Sequence, residues 1–262
     1  MFLIRTMISE WMKTKRTVFR YVVLLVPILF SMLILAYISV YKIDYTFQIK
    51  VYGTYFSTIG MGLTMMAGIL TALNIIVEDS AGEFRRLLLV PLSRNTIYLG
   101  KLFMIILVTI VDMFVSVGVL LLGIKILYPT ANIQYGVFLE GTFFTILGSL
   151  FLYGLYLIIS INFGVGSTIS LAVGGAVLGA ILQTGMGDRV WQFVPWAWSG
   201  RIGTMPVYTL KGFSKFKNVN GNFLKSIFEK EMIKGIPIAI VSFLIICVIG
   251  VMWFKRWEGR KY

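Results

Sequence analysis

The 262-residue sequence contains no histidine and only one cysteine. The missing histidine removes the commonest metal ligand and proton shuttle, and it makes a zinc site of the H-E-x-x-H type impossible. The lone Cys247 excludes an intramolecular disulfide and argues against a cysteine metal site. We therefore predict no metal site and assign no catalytic residue.

Motifs for nucleotide and ion chemistry are missing as well. The only Gly-Lys pair, Gly100-Lys101, is followed by Leu102 and lacks the upstream glycine of a phosphate-binding loop. We therefore expect no bound cofactor and no ATPase activity of its own. A T-V-G-Y-G potassium filter is absent, and Asp112, as the only acid at a central membrane depth, excludes a paired-aspartate protease.

What the chain does have is long apolar runs. With 58% hydrophobic and 13% charged residues it has the composition of an integral membrane protein. Runs of about 20 residues or more can cross a bilayer as helices, because each backbone group in lipid must be satisfied within its own segment. We predict an all-α polytopic protein with six transmembrane helices in one domain, residues 1–262. The runs are 21–41, 52–77, 102–127, 138–160, 165–184 and 235–254.

The charge distribution suggests an orientation for these spans. Six spans place both termini on one side, which holds 13 of the 24 Lys and Arg residues. By the positive-inside tendency we predict that both termini are cytoplasmic. The first run is too long for a signal-peptide core, so we expect an uncleaved anchor. Anionic lipid headgroups explain the net charge of +13 without nucleic acid.

Residues 1–20 predict an amphipathic helix lying in the cytoplasmic interface. Two interpretations remain open: a simple basic membrane anchor, or part of a platform beside the polar segment 78–101. The apolar face carries Ile4, Met7, Ile8 and Trp11, and the charged face carries Glu10, Lys13, Lys15 and Arg16.

The segment 78–101 is a polar interruption between the second and third apolar runs. We predict a short cytoplasmic helix that Pro91 ends by removing a backbone donor. Its charged head and its leucine tail predict a surface that touches a cytoplasmic partner. The head includes Glu78, Glu83, Arg85 and Arg86, with Gly82 among them, and the tail runs from Leu87 to Val90.

The segment 185–234 is predicted to be extracytoplasmic. Its tryptophans, Trp191, Trp196 and Trp198, predict amphipathic or partly re-entrant pieces at the outer interface, where indole rings prefer to lie.

Small and polar residues inside the spans have two interpretations each. A tight turn at 162–164 is predicted to join the fourth and fifth spans, and the fifth is rich in small residues that permit close helix packing. That packing is either within one subunit or at a subunit face, with Gly174, Gly175 and Gly179 as candidates. Asp112 and Asn162 either line a transport path or are structural.

Six spans, a basic amphipathic start, a polar loop after the second span and a long outer segment together resemble the ABC-2 type exporter permeases. In that family the loop carries a coupling helix, with an E-x-x-x-G stretch, a leucine-rich piece, Pro, a small polar residue, Arg and a closing Gly-Lys. This chain has the same order: Glu78, Gly82, Leu87 to Leu89, Pro91, Ser93, Arg94, Gly100 and Lys101.

The resemblance implies a transport subunit rather than an enzyme. It implies a partner ABC ATPase that uses ATP and Mg, and a second permease subunit, alike or different. The residues implied to couple to the ATPase are Glu78, Gly82, Glu83, Arg85, Arg86, Leu87, Leu88 and Pro91.

Within the family, the chain resembles permeases of lantibiotic immunity and bacitracin resistance. This implies export of an amphipathic peptide across the bacterial cytoplasmic membrane. Three alternatives remain: an exporter of another drug or lipid, an ATPase-binding assembly or sensor subunit without a path, and a stand-alone ion or lipid carrier.

Overall fold

All regular secondary structure in the described residues is helical, which confirms the all-α prediction for that part of the chain. The computed structural model describes residues 2–80 and 93–259. Three short 3-10 helices, Gly185–Gly187, Trp191–Phe193 and Met205–Thr209, lie on either side of α6. The α-helices are α1 (Phe2–Lys13), α2 (Val18–Ile38), α3 (Phe47–Ser80), α4 (Arg94–Leu127), α5 (Tyr135–Leu182), α6 (Pro195–Thr204), α7 (Phe213–Lys217) and α8 (Gly221–Arg256).

Five of the described helices, α2, α3, α4, α5 and α8, are long and apolar enough to cross a membrane. The shortest, α2, has 21 residues, which is about 31 Å at 1.5 Å per residue and matches the hydrocarbon core. In their most apolar stretches α3 and α5 are each 61% buried, whereas α2 is 28% and α8 22% buried. The protein is therefore a multi-pass membrane protein with α3 and α5 at its centre.

Helix α5 is broken at Gly164, inside the predicted turn at 162–164. Gly164 has φ 82° and ψ −176°, a conformation that is essentially restricted to glycine. A Cβ built on Gly68 of α3 would meet both Tyr156 and Ala172, which lie on opposite sides of the break. Along an unbroken helix these two positions would be about 24 Å apart. The two halves of α5 therefore lie side by side against α3.

Helix α6 lies inside the bundle. The Ser199 hydroxyl donates to the Gly60 carbonyl at 2.9 Å, and a Cβ on Gly148 would lie 2.6 Å from the Ser199 nitrogen. Gly60 and Gly148 are each about 20 Å along α3 and α5 from the first residue of the helix. Small residues on all three helices thus allow α6 to pack between α3 and α5 at that depth in the bundle.

Two of the three tryptophans predicted at the outer interface are buried within the protein. Trp191 is 1% exposed and Trp198 is 3% exposed. Their indole nitrogens donate inside the protein, to Glu231 and to the Gln192 carbonyl respectively. Trp198 packs against Phe151 of α5 and Trp191 lies against Gly235 of α8, and a satisfied N–H makes burial of such rings favourable.

Helix α8 begins inside the predicted outer segment 185–234. Helix α8 begins at Gly221 and continues to Arg256, so the end of that segment belongs to the same helix as the last apolar run. The Asn220 side chain caps α8 by accepting from the Asn222 nitrogen at 3.0 Å. A cap of this kind satisfies an orphan N–H group at the first turn, and it starts the helix well before the apolar run itself.

Candidate functional site

Four charged side chains from three helices meet at the end of the bundle where α3 ends and α4 begins. We call Glu10, Lys13, Glu78 and Lys101 the charge cluster. The Lys101 ammonium lies 2.5 Å from a Glu10 oxygen and 2.7 Å from a Glu78 oxygen. The Lys13 ammonium lies 2.6 Å from the other Glu10 oxygen and 2.7 Å from the same Glu78 oxygen. Two cations and two carboxylates thus form one neutral network.

Local sequence places these groups together. Glu10 and Lys13 are three residues apart on α1, so they share one face of the helix. Gly100 lets that face approach α4, because a Cβ at this position would lie 2.5 Å from the Thr6 methyl group. Close contact between α1 and α4 then brings Glu10 to Lys101, the residue after the glycine.

Burial makes the charge cluster energetically significant. The exposed fraction is 2% for Lys101, 3% for Glu10 and 6% for Glu78. Buried ions of this kind are tolerated only when they are paired and hydrogen-bonded. Lys13 is more exposed: burial lowers its pKa, but Glu10 and then Glu78 raise it by more, so the pKa lies above its ordinary value.

The polar face of α1 therefore points inward. Glu10 and Thr14 are buried, whereas Ile4, Ile8 and Met12 are more than half exposed. An apolar face on the outside of the protein fits a helix that rests against lipid. The prediction of an amphipathic helix agrees with this arrangement, but the charged face that carries Glu10 is covered rather than solvated, because it lies against α4, where Lys101 pairs with Glu10.

The charge cluster lies directly beside the segment predicted to couple. At the start of α4, the Ser93 side chain caps the helix by accepting from the Thr96 nitrogen at 3.2 Å. Arg94 then donates to the backbone carbonyl of Lys255, at 3.0 Å, and to that of Trp257, at 2.5 Å, just where α8 ends. Both ends of the predicted coupling segment are thereby bonded to the helix bundle. Before it, Glu78 pairs with α1 and α4. After it, Arg94 bonds to the end of α8 and Lys101 pairs with α1.

The predicted coupling residues are divided between two parts of the chain. Glu78 lies within the charge cluster, with both of its ion pairs inside the protein. The others lie outside the described residues: Gly82, Glu83, Arg85, Arg86, Leu87, Leu88 and Pro91.

The two residues predicted for a transport path line different cavities. Asp112 lies at mid-length on α4 and lines an apolar groove formed with α1 and α2. Asn162 precedes the break in α5, donates to the Ile158 carbonyl at 3.2 Å, and lines a cavity with Trp253 and Trp257. The structure does not bring these two polar groups together.

The three glycines predicted for subunit packing lie in different surroundings. A Cβ on either Gly175 or Gly179 would clash with Trp196 of the same chain, whereas a Cβ on Gly174 would meet nothing within 4 Å. For Gly175 and Gly179 the structure thus shows the alternative of packing within one subunit. Gly174 faces open space.

Sequence reasoning missed Glu10, Lys13 and Lys101 as members of one site. The available signal was weak, because each lies near a helix end, where charged residues are common. That Glu10 faces inward becomes evident only from the structure, which places the buried Lys101 of α4 opposite it.

Comparison with known protein families matches residues 6–183 to ABC-2 family transporter protein. This match covers more than half of the 262 residues. The chain belongs to the ABC-2 transporter family. Membership implies a membrane permease that works with a partner ATPase, as the coupling loop had suggested. The match includes α1 to α5, and therefore the charge cluster of this ABC-2 permease; α6 and α8 follow it. Searches of curated proteins and of solved structures found no match.

Proposed function

We propose that this ABC-2 permease is one of two membrane subunits of an ATP-driven exporter and transmits ATPase motion through the charge cluster. The observation that carries the proposal is the pairing of Lys101 with Glu10 and Glu78, which joins three helices beside the coupling segment. The chain itself binds no nucleotide in this scheme. ATP and Mg are used by the partner, and the permease performs no catalysis.

In this proposal, one set of residues contacts the ATPase and another transmits its motion to the helices. Within 81–92, Glu83, Arg85 and Arg86 form the charged contacts with the ATPase, and Leu87 and Leu88 supply its packing surface. Glu78 acts inside the protein, where it holds the end of α3 to Lys101 on α4. Because the ATPase contacts differ between its two states, they bias the position of the segment, and the charge cluster moves α1, α3 and α4 as one unit.

The two halves of α5 cross the membrane separately in this proposal, which gives six crossings. With Gly164 at a reversal, residues 135–163 and 165–182 make about 43 Å and 27 Å of helix, and both are within or above the length of about 17–25 residues that a transmembrane helix needs. The reversal lies at the same end as the charge cluster, since Asn162 and Trp257 line one cavity and Trp257 accepts from Arg94. That end faces the cytoplasm of a bacterial cell, together with both termini.

The second permease packs against the exposed face of the second half of α5. Gly166 and Gly174 meet nothing within 4 Å, and Ser170 lies exposed between them. This small-xxx-small spacing permits close approach of another helix, which packing drives in lipid. The partner is a second copy of this chain or a related permease, and the path lies between the two.

The proposed substrate is a lantibiotic or similar amphipathic peptide, removed from the membrane for immunity or resistance. An exporter of another drug or lipid, an assembly or sensor subunit, and a stand-alone carrier are the competing functions. An ATPase-independent carrier needs no charged loop between α3 and α4, so the loop favours an ATPase-linked function.

The decisive experiment is purification of the tagged chain from its native membranes in mild detergent. We expect a Walker-motif ATPase to co-purify, with ATP hydrolysis, and we expect Glu83→Lys to abolish both co-purification and peptide resistance. The control Glu229→Lys introduces the same charge change on the exposed part of α8 and should have no effect. The proposal fails if no ATPase co-purifies with the unaltered chain, or if Glu83→Lys retains both properties.

A further inference from the structure

An apolar groove runs along the outside of the bundle between α1, α2 and α4. Its volume is about 530 Å³, and fourteen residues line it, among them Ile8 on α1, Leu24 on α2 and Val111 on α4. Each of these three side chains is more than half exposed in the protein alone. The groove is therefore open on the side where a lipid bilayer would lie, and its walls suit a hydrocarbon chain.

One ionisable group interrupts this apolar lining. Asp112 is the single charged residue among the described residues that line the groove, and it also lines a smaller cavity of about 60 Å³ between α2, α3 and α4. A carboxylate facing lipid is costly, by several kcal/mol on insertion scales. In its charged form it needs a donor, either from a neighbouring side chain or from a ligand, and without one the carboxyl group is protonated.

The described residues, 2–80 and 93–259, offer Asp112 no donor. In the described residues the carboxylate has no hydrogen bond or ion pair. The nearest hydroxyls on its own helix are engaged elsewhere. Thr109, one turn before it, donates to the Ile105 carbonyl and accepts from Tyr153, while Ser116, one turn after it, bonds to Ser31 and Tyr55.

The α2 wall of the groove, which includes Pro27, carries no charged side chain. The nearby cation is engaged as well: Arg20 lies over the Trp11 ring at 4.2 Å and donates to the Trp11 carbonyl. Arg20 is not a lining residue. The groove thus combines a hydrocarbon surface with one carboxyl group that has no donor among the described residues.

We propose that this groove binds the hydrocarbon part of a cationic amphiphile that enters from the lipid, with Asp112 as the counter-charge for its ammonium group. An ammonium supplies three donors and one positive charge, which matches a single carboxylate without a partner. A neutral ligand with a hydrocarbon chain of equal length would contact the same walls but leave the carboxylate unpaired. The inference deepens the proposed export function by naming the substrate class, and it does not require the ATPase.

The test uses purified full-length permease in phosphatidylcholine nanodiscs without ATP or ATPase. The probes are a twelve-carbon alkylamine and the matching alcohol, each carrying a photoreactive diazirine, and labelled peptides are identified by mass spectrometry. We expect the amine to label groove residues of α2 and α4 at concentrations at least tenfold lower than the alcohol. Asp112→Asn should abolish that advantage, and Asp112→Glu should preserve it.

Two further variants keep the result interpretable. Glu140→Gln makes the same acid-to-amide change at an exposed position of α5 and should leave amine labelling unchanged. Val111→Trp should fill the groove and weaken labelling by both probes. Equal labelling by amine and alcohol, or an amine advantage that survives Asp112→Asn, would overturn the proposal. Because the assay contains no ATPase, its failure leaves ATP coupling intact, and a loss of coupling leaves the binding result intact.

Discussion

At the residue scale, Lys101 is the side chain on which the charge cluster depends. It is 2% exposed, and both of its partners reach it from other helices. Removing one member of a buried ionic network leaves the others charged and unpaired, which costs more than the network itself contributes. Lys13 pairs with the same two carboxylates, but its side chain is 39% exposed, so water can replace it.

We therefore expect Lys101→Met to destabilise the protein strongly and Lys13→Met to have a small effect. The expected losses are about 3–5 kcal/mol for Lys101→Met and below about 1 kcal/mol for Lys13→Met. Unfolding of the purified variants in detergent, followed by near-ultraviolet circular dichroism, measures both. Adding Glu10→Gln and Glu78→Gln to Lys101→Met should restore much of the loss, because the only ion of the cluster that then remains is Lys13, which water can reach. Equal losses in the two single variants would contradict the assignment.

At the element scale, the break in α5 determines how the fourth and fifth apolar runs are arranged in space. A 48-residue helix would be about 72 Å long if it were straight, more than twice the hydrocarbon thickness. The conformation of Gly164 lets the chain reverse without a loop. Tyr156 and Ala172 can then both pack on Gly68 of α3.

Gly164→Ala should destabilise the protein by about 1–3 kcal/mol, because an L-residue with φ 82° and ψ −176° is strained. The matched control is Gly166→Ala, two residues away, where a Cβ meets nothing within 4 Å. That variant should be neutral or slightly stabilising, since alanine favours a helix. Thermal unfolding of both variants in detergent gives the comparison, and a Gly164→Ala variant as stable as Gly166→Ala would argue against the reversal.

At the scale of the whole molecule, several features gather at the two ends of the bundle. The charge cluster, the α5 reversal and the end of α8 lie at one end, joined by Arg94 and Asn162. At the other end, the Lys215 ammonium of α7 lies 5.1 Å from the centre of the Tyr45 ring, between α2 and α3. The basic residues near the first end support our proposal that this end faces the cytoplasm, by the positive-inside tendency.

Cysteine labelling in intact cells tests this orientation. In a Cys247→Ser background, Lys217→Cys should react with a membrane-impermeant maleimide added outside, whereas Lys15→Cys should react only after the cells are lysed. Both lysines are exposed, so access alone decides the outcome. Labelling of Lys15→Cys from outside intact cells would reverse the topology and remove the proposed contact with a cytoplasmic ATPase.

The sequence was enough to predict where the site lies along the chain, but not which residues form it. The polar interruption 78–101 is visible as a break in apolar runs, and Glu78 and Lys101 stand at its two limits. Glu10 belongs to the same site but lies far away in sequence. Its helix looked like one with a solvated charged face, because periodicity shows that two faces differ and not which one is covered.

By itself the sequence determined the class of the protein: an all-helical membrane protein with no nucleotide-binding loop, whose segment 78–101 is characteristic of ABC-2 permeases. Run length, hydropathy and short motifs are local properties, so they can be read without knowing which helices meet. Only the tertiary structure decided that Glu10 pairs with Lys101, that Trp191 and Trp198 are buried, and that Asp112 faces a groove. These outcomes depend on helix contacts that small residues such as Gly60 and Gly100 permit.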